Sequence, residues 1–361
     1  MKKTLGIIFP GYGEQFIGMA KDLYDDHRLV QELFEQALQC TDKNFVKLMF
    51  ASSTEEISSA RYAFLSIFLH EFTLYSLLQQ HGLTTPDFIA GYGIGEYAAA
   101  AASGSLSFPD TLYILNKYSQ LYSEFVKDEQ YSVLQIVRGF TKEELQALCD
   151  QFSDEKNRAY IAAHNSETAF YVSGSEVVLD KIVEYCKENK IRKVRDIGLE
   201  YGLHSEAVDQ LVSDLNLYFY KINFKELRVP VITCVDGVYV TTPDSLQASM
   251  MRRINNPILW YDVMQGLVGC DVVISVGPGK QLVEWLRSMY PEKELHVVEN
   301  FKDIEAISEY LIKPSVSDLE KSQAVETNIQ DVEIQEVSEE ISLYEADQIN
   351  EKPSDYDIEE E

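Results

Sequence analysis

Two rhythms of apolar residues alternate along this chain. Leu5 to Phe9 is an unbroken apolar run, the pattern of a strand buried on both faces. The glycine-rich turn Gly11-Tyr12-Gly13 follows, and a helix is expected to begin near Gln15. Residues 28–40 and 60–80 space their apolar positions as helices do, with Phe64, Ile67, Phe68, Phe72 and the stretch Leu74 to Leu78 facing a core. Residues 87–91 predict a second buried strand. Two helices come after it, the second over Phe108 to Val126.

From Tyr131 the texture changes. Ser132 to Arg138 predicts a strand. Thr141 to Phe152 predicts a helix in which Thr141 is the N-cap and Glu144 completes a capping box. Tyr160 to His164 and Ala169 to Ser173 are two further strands, Glu176 to Asn189 a helix, and Val194 to Ile197 a last short strand. The order βαββαβ predicts a ferredoxin-like insert. Afterwards the α/β alternation resumes. Helices are expected around Ser205 to Asn216, Leu246 to Ile254, Trp260 to Leu267 and Lys280 to Met289. Strands are expected at Val231 to Cys234, Val272 to Val276 and Glu294 to Val298. Such alternation implies a mostly parallel sheet covered by helices on both faces. The expected organisation is an α/β core over 1–127 and 198–312, the insert over 128–197, and a tail over 313–361.

Charge sets the tail apart. Of the formal −28, half falls between Pro314 and Glu361, which hold 16 acidic and two basic residues. With Tyr344 and Tyr356 as its sole aromatics, this stretch cannot bury enough apolar surface to offset its ordering entropy, so a disordered acidic C-terminal tail is expected. The acidity argues against nucleic acid or an anionic membrane surface as partner. The five cysteines (Cys40, Cys149, Cys186, Cys234, Cys270) are scattered and never paired as CxxC, which argues against a disulfide framework or a zinc site and suits a reducing, cytoplasmic compartment. No run approaches the roughly 18 apolar residues of a membrane span. His27, His70, His81, His164 and His296 show no metal-ligand spacing, so neither metal nor cofactor is expected. The expected state is a monomer.

The chemistry concentrates at residues 88–97, Phe-Ile-Ala-Gly-Tyr-Gly-Ile-Gly-Glu-Tyr. A strand runs into Gly-x-Gly-x-Gly and an alanine-rich helix follows. That is the frame of a nucleophile elbow on an α/β-hydrolase-like parallel-sheet core, with Gly93 where Gly-x-Ser-x-Gly has its serine. Glycine has no side chain to attack a carbonyl.

Several blocks in order resemble the malonyl-CoA:acyl-carrier-protein transacylases and the related acyltransferase domains of fatty acid and polyketide synthases. Phe9 to Gln15 is similar to FPGQGSQ. Gly91 to Tyr97 is similar to GHSLGEY, and Ala102 to Ser107 stands for AGALS. Ala162 to Gly174 resembles A-x-N-S…V-S-G, Leu203-His204-Ser205 resembles FHS, Asn256 to Trp260 resembles SPVRW, and Val276 to Gly279 resembles EVGPG. Together they cover roughly residues 5 to 300. In that family an elbow serine takes an acyl group from coenzyme A and passes it to a phosphopantetheine thiol, a histidine acts as base, and an arginine binds the malonyl carboxylate. The resemblance therefore implies an acyltransferase of fatty acid biosynthesis, with acyl-CoA, a phosphopantetheine group and acyl carrier protein as partners.

Carried across residue by residue, the resemblance finds most of the polar set changed. The serine position is Gly93, and the histidine before it is Tyr92. The arginine position is Tyr118. The glutamine of the opening loop is Tyr12, the glutamine before the SPVRW block is Arg253, and the asparagine after the late strand is Cys234. The base position, His204, is kept. The oxyanion donors are main-chain amides, here those of Tyr12 and Ile94, which survive side-chain change. Loss of the serine removes covalent catalysis, and loss of the arginine removes the planar fork that grips a carboxylate. Glu14 and Arg253 both replace uncharged residues near the cleft and are expected either to pair and plug it or to stand separately in solvent. Cys234 is the best substitute nucleophile, against the commoner reading of a buried cysteine as inert core. Arg192-Lys193-Arg195 is a basic patch, read as a solvated face in preference to a carrier-protein contact.

Three functions stay open at this point. The first is a catalytically impaired homologue, a pseudoenzyme that binds an acyl or pantetheine group or serves as a scaffold. The second is an active malonyltransferase with a displaced nucleophile. The third is an interaction protein working through its acidic tail.

Overall fold

Strand β1 (Leu5–Phe9) is buried along its whole length, as its apolar run requires. The computed structural model describes residues 3–125, 131–137, 139–191, 194–197 and 204–312. After β1 the chain stays irregular to Ala20, and helix α1 (Lys21–Asp26) starts later than the expected Gln15. Gly13 and Gly18 at φ 109° and 93°, with Ala20 at φ 64°, keep this segment out of a helix. Helices α2 (Arg28–Thr41), α3 (Phe45–Ala51), α4 (Thr54–Ser58) and α5 (Ala60–Gln80) follow. The short α3 and α4 escaped the periodicity, but each carries a cap: Asn44 accepts from the Lys47 N–H and Ser53 from the Glu56 N–H.

Strand β2 (Phe88–Gly91) leads through the elbow into α6 (Gly95–Ala102) and then α7 (Phe108–Phe125). The insert comprises β3 (Tyr131–Val137), α8 (Lys142–Phe152), β4 (Ala159–Ser166), β5 (Ala169–Ser175), α9 (Glu176–Glu188) and β6 (Val194–Asp196). The Thr141–Glu144 capping box is present on α8. The remaining elements are α10 (Asp209–Phe219), β7 (Val231–Ile232), β8 (Tyr239–Val240), α11 (Pro243–Arg252), α12 (Trp260–Gly266), β9 (Val272–Val276), α13 (Gln281–Met289), β10 (Glu294–Val298) and α14 (Phe301–Ile312). Strand β7 stops at Ile232, short of Cys234, because the Thr233 carbonyl accepts from the Gly237 N–H and the Thr233 N–H donates to the Val238 carbonyl, turning the chain back as β8. The tail over 313–361, Arg192, Lys193 and Leu203 lie outside the described residues.

Two sheets result. The large one has order β10-β9-β1-β2-β7-β8, parallel except for the β7–β8 edge. Successive strands run outward from β1 on one side and then resume on its other side, so the winding reverses between β1 and β9 and a crevice opens beyond the carboxyl ends of these strands. The small sheet has order β4-β5-β3-β6, all antiparallel, the ferredoxin-like arrangement. Its own core holds Ile136, Leu145, Phe170, Val172 and Ile182. Residues up to Tyr310 knit into one compact unit. Ile258 stitches the sheets together: its N–H donates to the Ala162 carbonyl (3.0 Å), and its carbonyl accepts from the His164 N–H (2.8 Å).

Candidate active site

The elbow is built by close main-chain approach. The Tyr92 N–H donates to the Phe9 carbonyl (2.9 Å), extending the β1–β2 pairing by one residue. Gly95 must be glycine, since a Cβ there would lie 2.0 Å from the Pro10 carbonyl oxygen. Between them Gly93 sits at φ 55°, the left-handed region. A Cβ built on Gly93 would meet only ordinary contacts, Ile258 Cδ1 at 3.4 Å and His204 Nε2 at 3.7 Å. A side chain at 93 therefore projects at the ring of His204, which is the geometry of a nucleophile and its base.

His204 is held from two directions by the end of α11. Its N–H donates to the Ile254 carbonyl (3.0 Å), and its Nδ1 lies 2.7 Å from the Arg253 carbonyl oxygen. A carbonyl can only accept, so Nδ1 carries the proton and Nε2 presents its lone pair toward Gly93. Burial first, and the positive Arg253 second, push the His204 pKa down to about 3. The residue keeps partial solvent exposure, which limits the burial effect but not its direction.

Arg253 does not pair with Glu14. Its side chain is fully buried, and Nε lies 2.9 Å from Glu96 Oε2, with the guanidinium 5.1 Å from the ring centre of Tyr97. The 2.9 Å approach is off the hydrogen-bond axis, so the contact is an ion pair by distance. Burial works against the Arg253 charge, but Tyr97, Glu96, Tyr118 and Cys234 outweigh it. Burial pushes Glu96 up, and Arg253 together with the Cys234 N–H, which donates to Glu96 Oε1 at 3.0 Å, pulls it back. The solvent-exposed alternative is likewise excluded for Arg253.

Tyr118 is fully buried in an aromatic wall with Phe64 (5.2 Å between ring centres) and Tyr97 (6.4 Å), and burial pushes its hydroxyl to about 12. Tyr92 turns its hydroxyl to the small sheet, donating to Asn165 Oδ1 at 2.8 Å. Burial raises both the Tyr92 hydroxyl and the Cys234 thiol well above their ordinary values. Cys234 is fully buried beside the Gly93 N–H and Glu96, as a protonated thiol. The Tyr12 ring packs edge-on against Phe64 (5.4 Å between ring centres), its hydroxyl donating to the Ser58 carbonyl (2.7 Å). Ile94 heads α6, and among the described residues no main-chain acceptor takes its N–H.

Glu14 lines a cavity of about 330 Å³ with Tyr12, Gly13, Tyr171, Arg195, Ile197 and Gln281. Burial, then Glu299 and Glu284, raise it to about 7. Among the described residues no group of three His, Cys, Asp or Glu side chains could hold a metal ion, and no helix is long and apolar enough to cross a membrane. Sequence reasoning did not single out Glu96, Tyr97, Asn165 or Ile258. Glu96 and Tyr97 lay inside the elbow motif itself, where the signal was present.

The pattern of the acyl transferase domain matches residues 7–334. The chain is 27% identical to the malonyl CoA-acyl carrier protein transacylase of Bacillus subtilis (strain 168) over 77% of its own length and 88% of that protein's. It is 24% identical to the protein of the same name from Staphylococcus aureus (strain MRSA252), over 86% and 99%. Among solved structures, the malonyl CoA-acyl carrier protein transacylase of Coxiella burnetii superposes with a TM-score of 0.82 at 21% identity, covering 87% of this chain and 99% of that one. A malonyl-transacylase in complex with a type II PKS acyl-carrier protein gives 0.81 at 18%, over 85% and 99%. With the elbow, the facing histidine and both sheets in place, the chain belongs to the acyl transferase domain family and is a homologue of the malonyl-CoA:acyl-carrier-protein transacylases.

Proposed function

We propose that this chain binds a coenzyme A or phosphopantetheine thioester without forming a covalent acyl-enzyme, as a catalytically degenerate acyltransferase. The observation that carries this reading is Gly93, placed opposite His204 Nε2 with no atom to attack a carbonyl. The neighbouring hydroxyl and thiol are committed elsewhere, Tyr92 to Asn165 and Cys234 to the buried Glu96–Arg253 cluster. Tyr118 offers one neutral hydroxyl where the family has a cation, and the nearby Arg253 charge is already countered by Glu96, so malonate is not favoured. The complex of a related malonyl-transacylase with its acyl-carrier protein supports a carrier protein as the macromolecule that would deliver the pantetheine arm.

The test is intact-protein mass after incubation with malonyl-CoA and acetyl-CoA, for the native chain and a Gly93→Ser variant. Native protein is expected to gain no acyl mass, and Gly93→Ser to gain one. An acyl mass on the native chain overturns the reading, and peptide mapping would then locate the substitute nucleophile. If neither form is acylated and neither binds CoA, a scaffold role replaces ligand binding.

A further inference from the structure

His204 is a positioned base whose Nε2 faces a glycine where a nucleophile's side chain would stand. Its Nδ1–H is tied to the Arg253 carbonyl at 2.7 Å, so the Nε2 lone pair is fixed in direction. It points at the place a residue-93 side chain would fill, and contacts there stay at 3.4 Å or beyond. Beside it, the Ile94 N–H opens α6, where an oxyanion would form. The Tyr92 hydroxyl donates to Asn165, and the Cys234 thiol is buried and protonated. A base in this setting can activate a nucleophile that arrives from solvent, and His204 is partly exposed to it.

From this geometry we infer that the site hydrolyses acyl thioesters by direct attack of water. Oxygen of the water bonds to the thioester carbonyl carbon while one of its protons passes to His204 Nε2. The resulting oxyanion faces the Ile94 N–H. Collapse of the tetrahedral intermediate breaks the carbon–sulfur bond, and the leaving thiolate takes the proton from Nε2. One water is consumed, and a carboxylic acid and a free thiol are released. No acyl group rests on the protein. The reaction is slow: with no covalent intermediate, binding, oxyanion stabilisation and the His204 base together give roughly 10³-fold acceleration over water.

The inference rests on the thioester-binding reading, and the experiment separates the two. Full-length protein is incubated in ¹⁸O-water with acetyl-CoA in one arm and acetylated acyl carrier protein in the other. Acetate labelling, thiol release and protein mass are followed by mass spectrometry, and CoA binding by equilibrium dialysis. The expected result is labelled acetate at about 10³ times the spontaneous rate, unmodified protein, and at least a ten-fold loss in His204→Ala. The faster arm identifies the source of the pantetheine. Gly93→Ala, which places a methyl group in the path of the water, is the second variant and should also lower the rate without altering His204. CoA binding with hydrolysis equal in native and variant proteins overturns the inference and leaves the binding reading standing. Absence of binding in both arms overturns both. Acyl mass accumulating on the protein overturns it in favour of a resident nucleophile.

Discussion

The guanidinium of Arg253 and the carboxylate of Glu96 lie 2.9 Å apart with neither side chain reaching solvent. Glu96 sits in the first turn of the elbow helix α6, and Arg253 caps the end of α11; its carbonyl and that of Ile254 hold His204. One buried pair thus joins the elbow to the base. Removing one partner leaves an uncompensated buried charge. Arg253→Met and Glu96→Gln are each expected to destabilise the fold by about 3–5 kcal/mol. The double variant should lose at least about 1 kcal/mol less than the sum of the two. Urea unfolding of the four proteins checks this, and additive losses would deny the coupling.

Gly93 occupies left-handed backbone with room for a methyl group. Gly93→Ala should therefore cost about 1–2 kcal/mol through conformation alone. Thermal unfolding measures it, and a stability equal to that of the native chain would mean that the elbow relaxes to another conformation.

A serine restored at 93 would face a neutral wall. Tyr118 is buried among Phe64 and Tyr97, and Arg253 is already paired. Gly93→Ser is expected to acylate faster with acetyl-CoA than with malonyl-CoA, by about ten-fold or more, since the carboxylate finds no free fork. Rates of mass gain decide it, and a malonyl preference would place a cation in the pocket.

Glu14 gives a pH signature with a definite sign. Burial, and behind it Glu299 and Glu284, raise its pKa from 4.5 to about 7, while Tyr171 and Arg195 share its cavity. The folded chain holds this proton more tightly than the unfolded chain. Stability from this group is present below about pH 4.5 and is lost as pH rises toward 7. Glu14→Gln should leave stability at pH 4 unchanged and raise it by up to about 3 kcal/mol at pH 8. Denaturant midpoints at the two pH values test the prediction, and an equal shift at both would show that charge at 14 is not responsible.

Periodicity and cap chemistry made most of the fold legible. The continuous run at Leu5–Phe9 became a central strand, and Thr141 with Glu144 became a capping box, because both signals are local. The misses have physical reasons. The helix expected at Gln15 was displaced by positive-φ residues that no hydrophobic pattern reports. The two-residue strand β8 is defined by a turn, and α3 and α4 are too short for a period to emerge. At the site, Gly93 and His204 could be placed by motif because spacing encodes position. The partner of Arg253 could not, since Glu14 and Glu96 are both acidic neighbours of the crevice in sequence terms. The choice between them is made by tertiary placement: Glu96 lies on α6 against Arg253, whereas Glu14 faces a cavity with Tyr171 and Arg195.

The two hydrogen bonds at Ile258 have a consequence for how the chain matures. Strands β3 to β6 leave the ribosome with their own hydrophobic core, but the segment that docks them, Asn256 to Trp260, is made much later. During that interval the small sheet can close on itself, while its Ala162–His164 edge stays unpaired. Domains fold as units from the N-terminus during synthesis, and unpaired strand edges invite wrong partners. The vulnerable period of this protein is therefore the time between making β4 and making Ile258. A ribosome pause in that stretch would expose the edge for longer, whatever the stability of the finished fold.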